Sequence, residues 1–208
     1  MHLVIASNNA KKRAEIARIL EGLAIDIVPA AQTVFVDVVE DGDSFAANAR
    51  KKAEAFAAAN ACPALADDSG LMVDALDGQP GVYSSRYAGP DAGDADNNAK
   101  LLDAMQGKVD RTARFVCALH LAWPDGRTPL TAEGRVEGRI VETPSGTAGF
   151  GYDPLFFCPE LGRTFAEAGA DAKAAVSHRG RALRQLADRL HVMADRLRGT
   201  ADGLRDLA

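Results

Sequence analysis

The chain has little cysteine: Cys62, Cys117 and Cys158 are its three, and none forms a Cys-x-x-Cys pair. A disulfide framework is excluded, and reduced core thiols in a reducing compartment are expected. It has no excess of positive charge. A formal net charge of −5 offers no general attraction to nucleic acid or to an anionic membrane, so an anionic ligand must meet local cations. It has no apolar run of membrane-spanning length, and Met1 to Ala6 is too short for a signal-peptide core. It has no glycine-rich Walker loop, no repeat and no low-complexity linker. The expectation is a cytoplasmic protein with neither a nucleic-acid nor a membrane partner. With 47% hydrophobic and 25% charged residues, 208 residues suffice for one domain or two tight lobes.

What is present centres on Ala66-Asp67-Asp68-Ser69-Gly70. The apolar run before it reads as a buried strand ending at Ala66, with Gly70 permitting a sharp turn. Side chains alternate along a strand, so Asp67 and Asp68 are expected to point to different sides. Acids at the carboxyl end of a strand in an α/β sheet stand where such sheets bind ligands. Two acids and a hydroxyl suit a hard cation such as Mg²⁺, or a base that deprotonates water; a solvated Asp-Ser turn is the alternative.

Other segments add cations. Residues 3–6 read as the first strand, followed by Ser7-Asn8-Asn9-Ala10-Lys11-Lys12 and a helix with Ile16, Ile19 and Leu20 on one face. Strand, polar loop and helix aim backbone N–H groups and a positive dipole end at an anion, and Lys12 adds a full charge; a plain cap by Ser7 or Asn9 competes with that reading. A helix over residues 45–60, capped by Asp43 or Ser44, puts Phe45, Ala49, Lys52 and Phe56 on one face at spacings of 4, 3 and 4. Lys52 then interrupts an apolar face. It either snorkels or meets a phosphate or a carboxylate such as Asp68.

Residues 113–122 and 130–141 read as an antiparallel hairpin. In Gly149-Phe150-Gly151-Tyr152-Asp153-Pro154, glycines on each side of Phe150 let the backbone approach a flat ligand, and the ring can stack on a base. Lys173 precedes Val176-Ser177-His178-Arg179-Gly180, where Ser177 caps a long helix whose buried face carries Leu183, Leu186, Leu190, Met193 and Leu197. His178 and Arg179 stand in its first turn, where the dipole disfavours cations unless an anion lies opposite. Acids (Glu40, Asp67, Asp68) set among cations (Lys12, Lys52, Lys173, His178, Arg179) describe Mg²⁺ escorting a polyphosphate, with an aromatic platform for a base.

These stretches, in this order, resemble the noncanonical purine nucleoside triphosphate pyrophosphatases, the inosine/xanthosine triphosphatase (HAM1-like) family. The resemblance runs from about Leu3 to Leu190. It departs at Ala47, where the family usually has Glu, and at Asp171-Ala172, where a glutamate is common. It implies an α/β fold with an elongated mixed sheet flanked by helices, in two lobes with a central cleft. Residues 1–197 would form one domain and residues 198–208 a polar tail. It implies that Ser7, Asn8, Asn9, Ala10, Lys11, Lys12 and Lys52 hold the triphosphate, and that Glu40 and Asp68 bind Mg²⁺. Asp68 would also be the general base, with Ser69 touching substrate. Phe150, Gly151, Tyr152, Asp153, Lys173, His178 and Arg179 would form the base and sugar pocket. The implied reaction cleaves ITP, dITP or XTP between the α- and β-phosphates, in a homodimer. Two alternatives stand beside it: a Maf-like pyrophosphatase, whose usual Ser-x-Ser-Pro-Arg-Arg opening is not matched here, and a non-catalytic nucleotide-binding protein.

Overall fold

The computed structural model describes residues 1–21 and 25–205, with side chains as far as Met193. Seven strands form one mixed sheet in the order β2-β1-β3-β4-β5-β6-β7. They are β1 (His2–Ile5), β2 (Asp26–Ile27), β3 (Ala64–Val73), β4 (Thr112–Ala122), β5 (Leu130–Ile140), β6 (Phe156–Cys158) and β7 (Arg163–Thr164). β1 runs parallel to both β2 and β3, and every later pairing is antiparallel. The helices are α1 (Ala10–Leu20), α2 (Phe45–Asn60), α3 (Asp94–Ala104), α4 (Ala170–Val176) and α5 (His178–Arg205).

Alternation along β1 and β3 sorts the core. Leu3, Ile5 and Leu65 pack with Ile16 of α1 and Ala182, Leu183 and Leu186 of α5. Val4, Ala6, Ala64 and Ala66 pack with Ala53, Phe56 and Ala57 of α2 on the opposite face. A separate cluster around Leu71, Phe115, Val136, Phe156 and Phe165 fills the far end of the sheet. Each fully buried leucine or phenylalanine contributes roughly 1.5–3 kcal/mol by leaving water.

The acids do not follow a strand end. β3 continues through Gly70 to Val73, paired with β4 at every position. The expected turn at Gly70 is absent because its missing side chain serves a different end. A β-carbon there would fall on Ser84 Oγ and lie 2.6 Å from the carbonyl oxygen of Gly81. Ser84 Oγ accepts from the Leu71 N–H at 2.9 Å and donates to the Gly81 carbonyl at 2.6 Å, tying the 3₁₀ turn at Gly81–Arg86 to the strand. β1, by contrast, pairs with β3 only at Ala64 and Leu65. Past that point β3 has β4 on one side; its other edge is free of strand pairing until Met72, which bridges Pro80, and the site lies along that free stretch.

α2 begins and ends where its sequence pattern places it, with Ser44 Oγ accepting from the Ala47 N–H at 3.3 Å. The expected long helix is α5, which Ser177 opens by accepting from the Gly180 N–H at 3.1 Å; the short α4, ending at Val176, precedes it and was not expected. α5 continues to Arg205, past the boundary expected at residue 197. Residues 206–208 of the expected tail, and the Leu197 side chain, lie outside what is described. Among the described residues, no helix is long and apolar enough to cross a membrane.

Candidate active site

A cavity of about 380 Å³ opens along the free edge of β3. Its wall includes Ser7, Asn8, Asn9, Lys12, Glu40, Lys52, Asp68, Ser69, Phe150, Gly151, Tyr152, Asp153, Lys173, His178 and Arg179. The structure thus brings together nearly every side chain singled out from sequence. Ala10 and Lys11 are outside this wall. Lys11 is exposed, with Nζ 3.5 Å from Asp94 Oδ2. The expected anion cradle at the α1 start is also narrower than the sequence implied. Asn9 Oδ1 already accepts from the backbone N–H groups of Lys11 at 2.9 Å and Lys12 at 3.1 Å. What remains for an anion is the Lys12 charge and the helix dipole.

The two adjacent acids face opposite sides of the sheet, as alternation requires. Asp68 faces α2. Its Oδ1 lies 3.0 Å from Lys52 Nζ and its Oδ2 accepts from Asn48 Nδ2 at 3.3 Å. Lys52 therefore has a carboxylate partner and does not snorkel. Glu40 joins from the extended segment before α2, its Oε1 3.1 Å from the same Nζ. Contacts near Glu40 hold that segment: Arg86 Nη2 donates to the Glu40 carbonyl at 2.9 Å, the Gly42 N–H donates to Asn48 Oδ1 at 2.8 Å, and Lys51 pairs with Asp41. Burial pushes the Asp68 carboxyl up, and nearby Glu40 adds to this against the pull of Lys52 and Lys12. Burial would raise Glu40 too, but Lys52, joined by Lys12 and a hydrogen bond with Asp68, holds Glu40 below its ordinary range. One ammonium between two acids with divergent proton affinities marks where a second cation is electrostatically welcome.

Asp67 faces α1 and α5. Its side chain is fully buried, with Oδ1 2.9 Å from Lys12 Nζ and Oδ2 2.9 Å from Arg179 Nε. Burial opposes its ionisation, yet Arg179 and Lys12 hold the carboxyl well below the usual range. Arg179 is 1% exposed, and its Nη1 also donates to Glu15 Oε2 at 2.7 Å. The anions demanded by a cation in the first turn of α5 are therefore Asp67 and Glu15. Glu15 escaped sequence reasoning. The available signal was its place one turn beyond Lys12 on α1, which puts it beside the same cleft.

The opposite wall suits a flat ring. Phe150 lies between two glycines of positive φ, with Lys173 Nζ 4.9 Å and Arg179 Cζ 5.8 Å from its ring centre. Asp153 Oδ2 accepts from the Phe150 N–H at 2.9 Å and lies 2.7 Å from Lys173 Nζ. A β-carbon at Gly149 would overlap that carboxylate. Tyr152 donates its hydroxyl to the Ser84 carbonyl at 2.9 Å, which locks the loop to the 3₁₀ turn. His178 stacks on Phe115 with ring centres 4.8 Å apart. Burial, then Arg179 and Lys173, hold His178 well below its ordinary pKa, so it is neutral, and its buried Nδ1 has no hydrogen-bond partner among the described residues. Asp94 and Asn97 of α3 also line the cavity and were not anticipated. Their signal was only the polar start of a helix after a long loop.

Gly134 of β5 allows the α5 start to approach. A β-carbon there would fall on the His178 carbonyl and the Ala182 N–H. The Gly134→Ala variant is expected to lose roughly 1–3 kcal/mol by overpacking. It should also weaken ligand binding, because His178 and Arg179 shift with the helix. Thermal melting and nucleotide titration measure the two effects.

Cations collected around two carboxylates, in a hollow with an aromatic wall, define the class: an α/β protein with a polyphosphate-binding type of cleft. Comparison supplies the family. The chain matches the Ham1 family over residues 3–189 and belongs to it. A dITP/XTP pyrophosphatase of Geobacter sulfurreducens is 51% identical over 191 residues, covering 90% of this chain and 96% of the relative. A HAM1 protein from Coxiella burnetii superposes with TM-score 0.83 at 43% identity, covering 92% of this chain and 98% of that one. The Staphylococcus aureus Ham1 protein gives 0.82 at 38% identity, covering 93% and 100%.

Proposed function

We propose that this chain hydrolyses the triphosphates of deaminated purines, ITP, dITP and XTP, to the monophosphate and pyrophosphate. We infer further that it does so with Mg²⁺, in the cytoplasm, as a homodimer. The observation that carries the reaction is the pairing of Glu40 and Asp68 across one lysine, with Lys12 and Arg179 within the same hollow. The names of the Ham1 relatives support the substrate class.

The donor set fits Mg²⁺ of a particular kind. Among the described residues no three His, Cys, Asp or Glu side chains converge into a metal site. Mg²⁺ commonly takes one or two carboxylates and completes its shell with substrate phosphates and water. Glu40 and Asp68 supply those two, and Ala47 puts no third acid beside them in the first turn of α2. Bound there, Mg²⁺ would lower the pKa of the attacking water and offset charge on the departing pyrophosphate.

The chain's own groups do the rest. Asp68 accepts the water proton, and burial makes it a stronger base than an ordinary carboxylate. Lys12 and Lys52 face the phosphates with full positive charge. Phe150 offers a stacking face. The remaining Arg179 N–H and the Lys173 ammonium are donors for a keto oxygen. Adenine presents an amino group at that position and would leave a buried donor unpaired.

Pyrophosphate release from ITP, dITP, XTP, ATP, GTP, dTTP and UTP, with Mg²⁺ and with EDTA, tests the proposal. Expected is release from the first three alone, abolished by EDTA. Equal turnover across the panel, or preference for dTTP and UTP, would overturn the substrate class. ITP binding without pyrophosphate release in Mg²⁺ would overturn the reaction.

A further inference from the structure

Asp67 stands behind the cavity wall and not in it. It is 1% exposed, with Lys12, Ser69 and Arg179 between it and the hollow. On the face of β3 that meets α1 and α5, the row is Leu65, Asp67, Ser69, Leu71 and Val73, so this carboxylate interrupts an apolar surface. An ionised group there is costly unless its partners are fixed. They are. Oδ1 accepts from Ser69 Oγ at 3.1 Å and from Arg179 Nη2 at 3.3 Å; Oδ2 accepts from Arg179 Nε and from Cys117 Sγ, each at 2.9 Å. Lys12 Nζ completes the set at 2.9 Å.

A guanidinium has five N–H groups. Nε donates to Asp67, Nη2 donates to Asp67 and to Ser69 Oγ, and Nη1 donates to Glu15. That uses four and leaves one N–H on Nη1 among the described residues. The fork grips a carboxylate on two edges, so its plane cannot turn without breaking charged hydrogen bonds.

We infer that Asp67 is the positioning residue for base selection: it fixes the Arg179 plane so that one N–H, in one direction, is offered to a purine keto oxygen. The inference rests on the reading of Arg179 as a base-contacting group. Asp67 touches neither the base nor the reacting phosphate; it acts on the base through Arg179, while its pairing with Lys12 reaches only the phosphates, which ITP and ATP share. Asp68 and Lys52, on the other face of the strand, keep their own contacts when Asp67 changes. The selective effect therefore belongs to base recognition rather than to turnover.

The test uses purified full-length Asp67→Asn with Mg²⁺ and compares ITP with ATP. The amide keeps the shape but loses the charge and presents an NH₂ where Arg179 or Lys12 now donates. Expected is a rise in KM for ITP with kcat changed less, and a fall of roughly tenfold or more in the ITP-to-ATP ratio of kcat/KM, the scale of one buried hydrogen bond. In an Arg179→Lys background the same substitution should leave the ratio unmoved. A proportional loss for both nucleotides at constant ratio, or an undiminished effect in the Arg179→Lys background, overturns the inference. If Asp67→Asn does not fold, Asp67→Glu carries the same pair of outcomes, since it keeps the charge and pushes the fork out by one methylene. Wild-type protein without preference for ITP would instead remove the proposed function.

Discussion

Asp68→Asn should cut pyrophosphate release by roughly three orders of magnitude while the protein stays folded. The fold survives because the buried site already disfavours the charged form of this side chain, and the amide oxygen still accepts from Lys52, at the cost of an NH₂ facing the Asn48 donor. The folded state binds the Asp68 proton more tightly than the unfolded chain does. That contribution to stability is complete below the ordinary carboxylate pKa and is lost as pH rises through the raised one. Glu40, shifted down, acts in the opposite sense. The proposed role of Asp68 as base needs its ionised form, so the acid limb of kcat/KM should lie above the ordinary carboxylate range and move down as Mg²⁺ is raised. Undiminished activity in Asp68→Asn would remove it as the base.

Arg179→Met should produce the largest loss of stability. It leaves the Asp67 carboxylate, fully buried, with only Lys12 as a charged partner, and it strips Glu15 of its closest cation contact. Breaking one side of a buried ion pair costs roughly 3–5 kcal/mol, whereas replacing both sides by apolar groups is often neutral. For a domain of this size the single variant should melt roughly 10 °C lower. The double variant Asp67→Leu with Arg179→Met should recover much of that loss and none of the selectivity. Circular dichroism and the ITP-to-ATP comparison read both. A drop below about 1 kcal/mol in the single variant would mean the pair is not the anchor its geometry describes.

Much of this site was legible in residue types. The 4, 3 and 4 spacing on α2 put Lys52 on an inward face, and an inward lysine needs an anion. Alternation alone assigned Asp67 and Asp68 to opposite sides. The dipole argument at the α5 start required acids opposite Arg179. What stayed hidden were partners brought from far along the chain. Asp67 meets Arg179 across 112 positions, and Glu15 meets it across 164. No local pattern encodes such pairs. Gly70 misled because a glycine after two acids reads as a turn, whereas here its bare backbone admits Ser84. The narrower anion cradle at the α1 start follows from Asn9, a cap that satisfies the Lys11 and Lys12 N–H groups an anion would have used.

The two acids are neighbours on one strand, so a single peptide separates the proposed proton chemistry of Asp68 from the base recognition proposed for Asp67. A one-position slip of β3 against β4 would send each acid to the other's side. In one direction Asp68 would take the place beside Arg179, and in the other Asp67 would take the place beside Lys52, with no acid left in the remaining place. Ten paired positions guard against that slip. Deletion or insertion of a residue within residues 64–66 should therefore silence the protein even where the core accepts it. In this chain the frame of a strand is itself a functional element.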